Sequence, residues 1–341
     1  MIQLHRRVAR TMRKRVFSGI QPTGVIHLGN YLGAIKSWAD LQYRYDAFFC
    51  IVDYHAITAP YDPADMQGRV FDAAVANMAA GLDPDVATIF VQSHAPEHTE
   101  LTWLLNSITP MGWLARMTQF KEKSADLKGS VSVGLFDYPV LQASDILLYK
   151  AEIVPVGEDQ VQHIELARDI ARKFNATFGD TFPEPEAVLS SSPRIMALND
   201  PTRKMSKSLP GSYIAMSDSP AEILDKMMKA VTDAGPTRGG DMSPGAANLF
   251  VLMKEFSPPE TLRRFEEEYG GGEIRYSEMK ETLARDIAAA LAPFRAARES
   301  LLAKPETVNE ILRRGADKAR IYARETLNEV KRKMGLASLI R

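Results

Sequence analysis

Residues 17–33 have the sequence Phe17-Ser-Gly-Ile-Gln-Pro-Thr-Gly-Val-Ile-His-Leu-Gly-Asn-Tyr-Leu-Gly33, in which a short apolar strand runs through a Gly/Pro turn into a helix. At such a helix start, free backbone N–H groups and the helix dipole attract an anion. Gly29 and Gly33 would allow a ligand close to the first helical turn, and His27 and Asn30 add side-chain donors. The segment lacks the Gly-Lys-Ser/Thr ending of a P-loop. It therefore predicts the first strand-to-helix connection of an α/β domain, either as a ligand site or as an ordinary turn.

Strands and helices alternate through the first half of the chain. The run Ala47-Phe-Phe-Cys-Ile-Val52 is apolar throughout, which is typical of a strand buried on both faces of a parallel sheet. Further strands are predicted at 16–20, 88–91 and 153–156, and helices at about 29–45, 63–81, 98–127, 139–149 and from 161 onward. This alternation predicts an α/β fold with a doubly wound, Rossmann-like parallel sheet.

The pattern changes after about residue 215, beyond which only helices are predicted. We therefore expect a basic N-terminal extension at 1–12, a Rossmann-like domain at 13–200, a loop and linker at 201–215, and an all-α domain at 216–341. The first fifteen residues carry six Arg/Lys and no acid, and we expect residues 1–11 to be dispensable.

Composition limits the class of protein. The 341 residues are 45% hydrophobic and 25% charged, and no apolar run is long enough for a membrane helix, so we expect a soluble, cytoplasmic protein of about two domains. The single cysteine, Cys50, excludes an internal disulfide. With 42 Lys+Arg against 43 Asp+Glu, any RNA-binding surface must be local. One candidate is 312–341, with nine basic residues against three acids; a solvated helix face is the alternative.

A second motif, Lys204-Met-Ser-Lys-Ser208, lies at the junction of the two predicted domains. Two flexible ammonium groups three residues apart suit a mobile clamp for polyphosphate, since they can follow charge as it moves. A solvated basic loop is the alternative.

Together, His27-Leu-Gly-Asn30 and Lys204-Met-Ser-Lys-Ser208 resemble the two signatures of class I aminoacyl-tRNA synthetases. Five further segments resemble the bacterial and organellar tryptophanyl-tRNA synthetases: Ser18-Gly-Ile-Gln-Pro-Thr-Gly24, Gly29-Asn-Tyr-Leu-Gly33, Ile51-Val-Asp-Tyr-His-Ala-Ile-Thr58, Met117-Thr-Gln-Phe-Lys-Glu-Lys123 and Val154-Pro-Val-Gly-Glu-Asp-Gln160. The resemblance covers about residues 13–233 strongly and the helical remainder more loosely.

This resemblance implies an ATP-dependent tryptophan–tRNA ligase that uses Mg²⁺, forms a homodimer and charges tRNA(Trp). The domain at 13–200 would be catalytic, and the helical domain at 216–341 would bind the anticodon. We expect no zinc site, because one cysteine and scattered histidines cannot supply four ligands.

The resemblance also implies residue roles. The residues with catalytic roles would be His27, Asn30, Lys204, Lys207 and Lys123. The ATP site would comprise Gln21, Thr23, Gly29, Asn30, Gly157, Asp159, Lys204, Met205, Ser206, Lys207 and Ser208. The tryptophan site would comprise Phe17, Gly19, Gln21, His55, Tyr138, Gln142, Asp145, Val154, Val156 and Gln160.

The chemistry of the helix predicted at 139–149 fits that implication. Tyr138, Gln142 and Asp145 are spaced to lie on one helix face, with Pro139 expected in the first turn. An indole N–H is a donor only, so its recognition requires an acceptor such as the Asp145 carboxylate. His55 suits the border of the pocket or simple packing, and His163 inside the next helix suits a structural role.

Two alternatives stay open. Many bacterial members have methionine where this chain has Gln142, while tyrosyl relatives have glutamine there, so a tyrosyl-tRNA synthetase is one alternative. The other is a paralogue that has lost catalysis, although both lysines of the 204–208 motif, both glycines of the turn and Asp145 are present.

Overall fold

The computed structural model describes residues 13–22, 24–126, 131–189, 193–207, 209, 211–232 and 242–336. The chain forms two compact units. The first unit contains the described residues of Met1–Gly24, Ser37–Ser190 and Lys304–Arg341, and the second unit those of Val25–Lys36 and Ser191–Ala303. Each unit is therefore made of segments that are separated in the sequence, and the limits of the units differ from the predicted boundaries at 200 and 215.

The first unit contains a five-stranded parallel sheet in the order β3-β2-β1-β4-β5. Its strands are β1 Arg15–Ile20, β2 Asp46–Ile51, β3 Thr88–Val91, β4 Ile153–Val156 and β5 Glu186–Leu189. The predicted doubly wound parallel sheet is therefore confirmed. The order reverses between β1 and β4, and in such folds ligands bind at the carboxyl ends of strands near this point.

The helices follow in chain order as α1 Leu28–Asn30, α2 Lys36–Arg44, α3 Asp53–Ala56, α4 Pro63–Ala79, α5 Glu97–Asn106, α6 Met111–Leu114, α7 Thr118–Asp126, α8 Val133–Leu148, α9 Val161–Phe178, α10 Pro220–Met228, α11 Pro244–Phe256, α12 Pro259–Gly271, α13 Tyr276–Ala290, α14 Ala292–Leu302 and α15 Pro305–Lys333. A π-helical turn, Tyr31–Ile35, joins α1 to α2. Across the described ranges, no helix is long and apolar enough to cross a membrane.

Three local predictions differ from the structure. The helix expected at 139–149 begins at Val133, because Ser132 caps it by accepting from the N–H of Leu135, so Pro139 lies inside the helix and not in its first turn. The helical stretch at 98–127 is divided into α5, α6 and α7. Strand β5 was not predicted, since this edge strand is mostly exposed and, at four residues, too short to show a periodic pattern.

An aromatic layer holds α8 on the sheet. The Tyr149 ring, fully buried directly after α8, stacks on Phe48 of β2 at 4.8 Å and on Phe17 of β1 at 5.6 Å between ring centroids. Phe90 of β3 meets the same ring edge-on at 5.6 Å. Because these aromatic residues come from three strands, the layer fixes where α8 ends above the sheet.

The last helix, α15, packs on β3 and α5 of the first unit, although the sequence places it in the C-terminal helical domain. At Gly315 the helix approaches the sheet so closely that an added Cβ would lie 1.9 Å from the carbonyl oxygen of Ile89. Only glycine permits this approach, because the obstructing atom belongs to a backbone.

Basic residues of α15 form ion pairs within the first unit. Arg320 and Arg324 both contact the nearly buried carboxylate of Glu97, at 3.2 and 3.0 Å, and Lys331 contacts Glu100 at 2.7 Å. Further pairs join Arg314 to Asp85, Arg313 to Glu310 and Asp317, and Lys333 to Glu329. These contacts favour packing over RNA binding as the role of the paired residues.

The second unit is built mainly from α10–α14. Helix α10 packs against α13, and its Ile223 and Met227 are fully buried. Lys280 of α13 donates to the carbonyl oxygens of Met228 at 3.2 Å and Ala230 at 2.7 Å, which satisfies carbonyls at the end of α10. Burial lowers the pKa of Lys280.

We predict that Gly315→Ala lowers the free energy of unfolding by about 1–3 kcal/mol, because the clash with Ile89 outweighs the better helix propensity of alanine. Gly68→Ala in α4 is the matched control, since nothing lies within 4 Å of its added Cβ, and it should stabilise by up to about 1 kcal/mol. Urea denaturation measures both variants; equal stability of the two would contradict the close approach.

Candidate active site

A buried polar cluster in the first unit surrounds Asp145 of α8, whose exposed fraction is 1%. Its Oδ1 accepts from Nε2 of Gln92 at 2.7 Å and lies 2.6 Å from Nδ1 of His98. Its Oδ2 lies 2.7 Å from Nε2 of His55. The three partners come from the turn after β3, from α5 and from α3, so the fold brings them together from separate parts of the chain.

The cluster keeps Asp145 ionised. Burial acts to raise the pKa of this carboxyl, but the charge of His55 and the hydrogen bonds from His55 and His98 outweigh burial, so the pKa lies below its ordinary value. The Gln92 amide is oriented as well, because its Oε1 accepts from the backbone N–H of Tyr54 at 3.1 Å and leaves Nε2 to donate to Asp145. Asp145 is thus a buried, negatively charged hydrogen-bond acceptor.

A second set of polar side chains lies on the same face of α8. The Tyr138 hydroxyl donates to Oε1 of Gln119 at 3.2 Å and lies 2.9 Å from Nε2 of the buried His163. Burial raises the pKa of Tyr138 to about 12, so the phenol stays protonated at neutral pH. The amide of Gln142 donates to Oε1 of Gln160 at 3.4 Å. Tyr138, Gln142 and Asp145 therefore share α8, as the spacing predicts.

The carboxyl ends of β1 and β4 complete this region of the first unit. Gln160 donates to Oδ2 of Asp159 at 2.9 Å, and at Gly157 an added Cβ would lie 2.8 Å from Oδ1 of the same aspartate. At Gly19 an added Cβ would lie 2.8 Å from Val52, so the absence of a side chain keeps this strand end open. Gln21, just beyond β1, is exposed. Small residues and exposed polar side chains thus coincide at the strand ends.

In the second unit, His27 caps the short helix α1. Its Nδ1 accepts from the N–H of Asn30 at 3.3 Å, and Oδ1 of Asn30 accepts from the N–H of His27 at 3.3 Å. Burial, and then the positive charges of Lys207 and Lys204, lower the pKa of His27 to about 4. The imidazole is therefore neutral at pH 7. With Nδ1 acting as an acceptor, its proton lies on Nε2, which remains a donor.

In the second unit, residues 204–207 form a loop, the lysine loop, which lies against this turn. Met205 is buried, and its N–H donates to the carbonyl oxygen of Ile195 at 3.0 Å. An added Cβ on Gly29 would lie 3.1 Å from the His27 ring and 3.6 Å from Met205, so glycine allows the loop and the turn to pack. Lys204 is exposed. Two cations thus stand beside a neutral imidazole, an arrangement suited to phosphate oxygens.

The residues predicted for the site fall into two sets. The first unit holds Phe17, Gly19, Gln21, His55, Tyr138, Gln142, Asp145, Val154, Val156, Gly157, Asp159 and Gln160, and the second unit holds His27, Gly29, Asn30, Lys204, Met205, Ser206 and Lys207. Thr23, Ser208 and the side chain of Lys123 lie outside the described residues.

Four residues of these clusters carry no prediction from the sequence, namely Gln92, His98, Gln119 and Tyr149. A signal existed for Gln92, which directly follows β3, where parallel sheets place functional residues. No local signal marked His98, because its partner Asp145 lies 47 residues away along the chain.

Comparisons with known proteins match most of the chain. Residues 10–292 match the family model described as tRNA synthetases class I (W and Y). The chain is 44% identical over 331 residues to a tryptophan–tRNA ligase of Clostridium perfringens, covering 95% of this chain and 98% of that protein. It is 48% identical over 328 residues to a tryptophan–tRNA ligase of Caldanaerobacter subterraneus, with the same coverages.

Solved structures are similar over the same extent. The tryptophanyl-tRNA synthetase of Campylobacter jejuni, complexed with ADP and tryptophan, has a TM-score of 0.84 and 37% identity, covering 94% of this chain and all of that one. The tryptophanyl-tRNA synthetase of Mycoplasma pneumoniae has a TM-score of 0.83 and 34% identity, covering 96% and 99%.

The lowered pKa of His27 predicts a pH-dependent stability. The unfolded chain takes up this proton near pH 6.5 and the folded chain only near pH 4, so the folded state loses stability as pH falls between these values, by up to about 3 kcal/mol. In His27→Asn, whose amide oxygen can still cap α1, this component should vanish. The measurement is urea unfolding from pH 7 to pH 4, and parallel curves for parent and variant would contradict the burial of a neutral imidazole.

Proposed function

Because the chain belongs to the class I tRNA synthetases for tryptophan and tyrosine, we propose that it activates L-tryptophan with ATP and transfers it to tRNA(Trp). The observation that carries the choice of amino acid is the buried, ionised carboxylate of Asp145, an acceptor matched to an indole N–H. The cytoplasm, which supplies tRNA and ATP, is the proposed compartment.

Activation is a displacement at phosphorus. A carboxylate oxygen of tryptophan attacks the α-phosphorus of ATP, and the bond to the β-phosphate oxygen breaks, giving tryptophanyl-adenylate and pyrophosphate. No general base is needed, because the nucleophile is already an anion. Catalysis then consists of positioning and of neutralising charge on the phosphates.

We assign the phosphates to the turn and the lysine loop. Neutral His27 and Asn30 offer hydrogen-bond donors, while Lys204 and Lys207, with Lys123, attract the departing pyrophosphate. We assign Gly157 and Asp159 to the ribose, because the ribose hydroxyls can donate hydrogen bonds to the exposed carboxylate of Asp159. None of the residues assigned to the phosphates is a carboxylate, the side chain that Mg²⁺ prefers, so we propose that Mg²⁺ would arrive with ATP and would neutralise part of the phosphate charge.

Tryptophan itself is assigned to the first unit. Asp145 accepts from the indole N–H, and Tyr138 and Gln160 bind the amino group. Gln142 stands where many bacterial members have methionine. Because it donates to Gln160, we assign it the role of orienting the Gln160 side chain. Relatives named for tryptophan at 43–48% identity make the tyrosyl alternative less favoured. The described site residues Lys204, Lys207, Gly29, Gly33 and Asp145 make the non-catalytic alternative less favoured.

In the second step, the 2′-hydroxyl of the terminal adenosine of tRNA attacks the adenylate carbonyl, and AMP leaves. We assign anticodon recognition to the helices of the second unit, α10–α14. This revises the expectation for 216–341, because α15 is part of the first unit.

A homodimer is the proposed assembly. Trp103 of α5, Met111 of α6 and Val133 of α8 are 76%, 74% and 81% exposed on packed helices of the first unit. Exposed apolar side chains on helices that pack together supply surface that a second copy of the chain would cover. A monomeric mass by light scattering would contradict the assembly.

Asp145→Asn should lower kcat/KM for tryptophan about 10²-fold in ATP–pyrophosphate exchange, because an amide N–H₂ would oppose donors where a carboxylate now accepts. Asp137→Asn, on the same helix but bonded to Asn106, is the matched control and should retain parent values within about twofold. Exchange driven by tyrosine and not by tryptophan in the parent would sink the proposed function.

Lys207→Ala should lower kcat of the same exchange about 10²-fold while KM for tryptophan changes little, since the lysine stabilises charge that develops only as pyrophosphate leaves. Lys229→Ala removes a surface lysine of the second unit that pairs with Asp225, and it serves as control. An unchanged kcat in Lys207→Ala would remove the lysine loop from the mechanism.

A further inference from the structure

One imidazole of the cluster connects the recognition carboxylate to the aromatic layer. His98 is fully buried; its Nδ1 lies 2.6 Å from Oδ1 of Asp145, and its Nε2 lies 2.8 Å from the hydroxyl of Tyr149. Asp145 and Tyr149 are four residues apart near the end of α8, so both groups that bracket the imidazole come from one helix face.

These contacts decide which nitrogen of His98 carries the proton. Because Nδ1 faces the ionised carboxylate of Asp145, the ring N–H lies on Nδ1 and donates to Oδ1. Nε2 of this tautomer has a lone pair and faces the hydroxyl of Tyr149, which has a proton to donate because burial holds the pKa of Tyr149 well above its usual range. With the opposite tautomer, lone pairs of Nδ1 and Oδ1 would face each other at 2.6 Å.

The acceptor capacity of Asp145 is divided unequally. Oδ1 receives two donors, from Gln92 and His98, whereas Oδ2 receives one, from His55. A carboxylate offers about four acceptor directions, two on each oxygen. The capacity left for a ligand therefore lies on Oδ2.

Both members of the pair are held rigidly. The Tyr149 ring is stacked on Phe17 and Phe48. The backbone carbonyl of His98 accepts from the hydroxyls of Ser144 at 2.8 Å and Thr102 at 2.7 Å. These two bonds fix the backbone of His98, whereas the imidazole itself is oriented by its contacts with Asp145 and Tyr149.

We propose that Tyr149 and His98 are positioning residues for amino-acid selection, which fix a single imidazole tautomer and so present Oδ2 of Asp145 as the acceptor for the indole N–H. This inference rests on the proposed function, and it adds which oxygen receives the ligand and which residues enforce that choice. Neither residue touches tryptophan; both act through Asp145.

The test is ATP–pyrophosphate exchange by the full chain with L-tryptophan and with 3-(benzothiophen-3-yl)-L-alanine, which carries sulfur in place of the N–H. Tyr149→Phe keeps the stacked ring but removes the hydroxyl. It should lower the ratio of kcat/KM for tryptophan to that for the analogue about tenfold, through KM for tryptophan, with kcat within about twofold.

Two His98 variants and one control complete the experiment. His98→Ala should lower the ratio at least as much as Tyr149→Phe, and His98→Asn should restore part of it, because the asparagine N–H₂ occupies the place of Nδ1. Ser144→Ala removes one of the two hydroxyls that donate to the backbone carbonyl of His98; Thr102 still donates there and neither hydroxyl contacts the imidazole, so the ratio should stay unchanged.

The outcomes separate the two proposals. Loss of activity with both substrates in equal measure, as loosened packing produces, or an unchanged ratio in Tyr149→Phe would overturn the positioning role alone. If Tyr149→Phe does not fold, equal ratios in His98→Ala and His98→Asn would overturn it in the same way. A parent that exchanges with tyrosine and not with tryptophan would overturn both the proposed function and this inference.

Discussion

The first unit depends on one constraint, which is that a carboxylate buried as deeply as that of Asp145 must be satisfied by donors from within the protein. Its donors come from α3, from the turn after β3 and from α5, so three connections of the sheet must end in fixed positions. The hydrogen bonds lower the pKa of Asp145 against the effect of burial. Stability and recognition are therefore linked, because the donors that make burial tolerable also keep the acceptor charged.

The aromatic layer connects the polar cluster around Asp145 to the hydrophobic core. Tyr149 stacks on Phe17 and Phe48 and also contacts His98, so one side chain belongs both to the packing of α8 and to the polar cluster. Tyr322 of α15 meets Phe48 edge-on at 5.3 Å, which joins the last helix to the same layer. The close packing of Gly315 against β3 has a similar effect. The acceptor of the proposed recognition, Asp145, thus belongs to a helix that is packed firmly on the sheet.

In the second unit, the main electrostatic feature is the proximity of two lysines to His27. The turn and lysine loop of this unit place cations beside an imidazole that burial and those cations keep neutral. A charged imidazole would add repulsion between the turn and the loop, whereas a neutral one supplies a donor at no electrostatic cost. Gly29 makes this packing possible, since any side chain there would press on His27.

The sequence by itself determined the alternation of strands and helices, the two motifs and the spacing of Tyr138, Gln142 and Asp145 on one face, because these are local patterns of burial and periodicity. Edge strand β5, the early start of α8 and the division of the helical stretch after residue 97 were missed, since exposure and capping override weak periodicity there. Only the tertiary structure decided that α15 returns to the sheet and that His55, Gln92 and His98 converge on Asp145. Contacts between residues 47 to 90 positions apart leave no local pattern, because packing of the whole unit, rather than the preference of any one segment, brings them together.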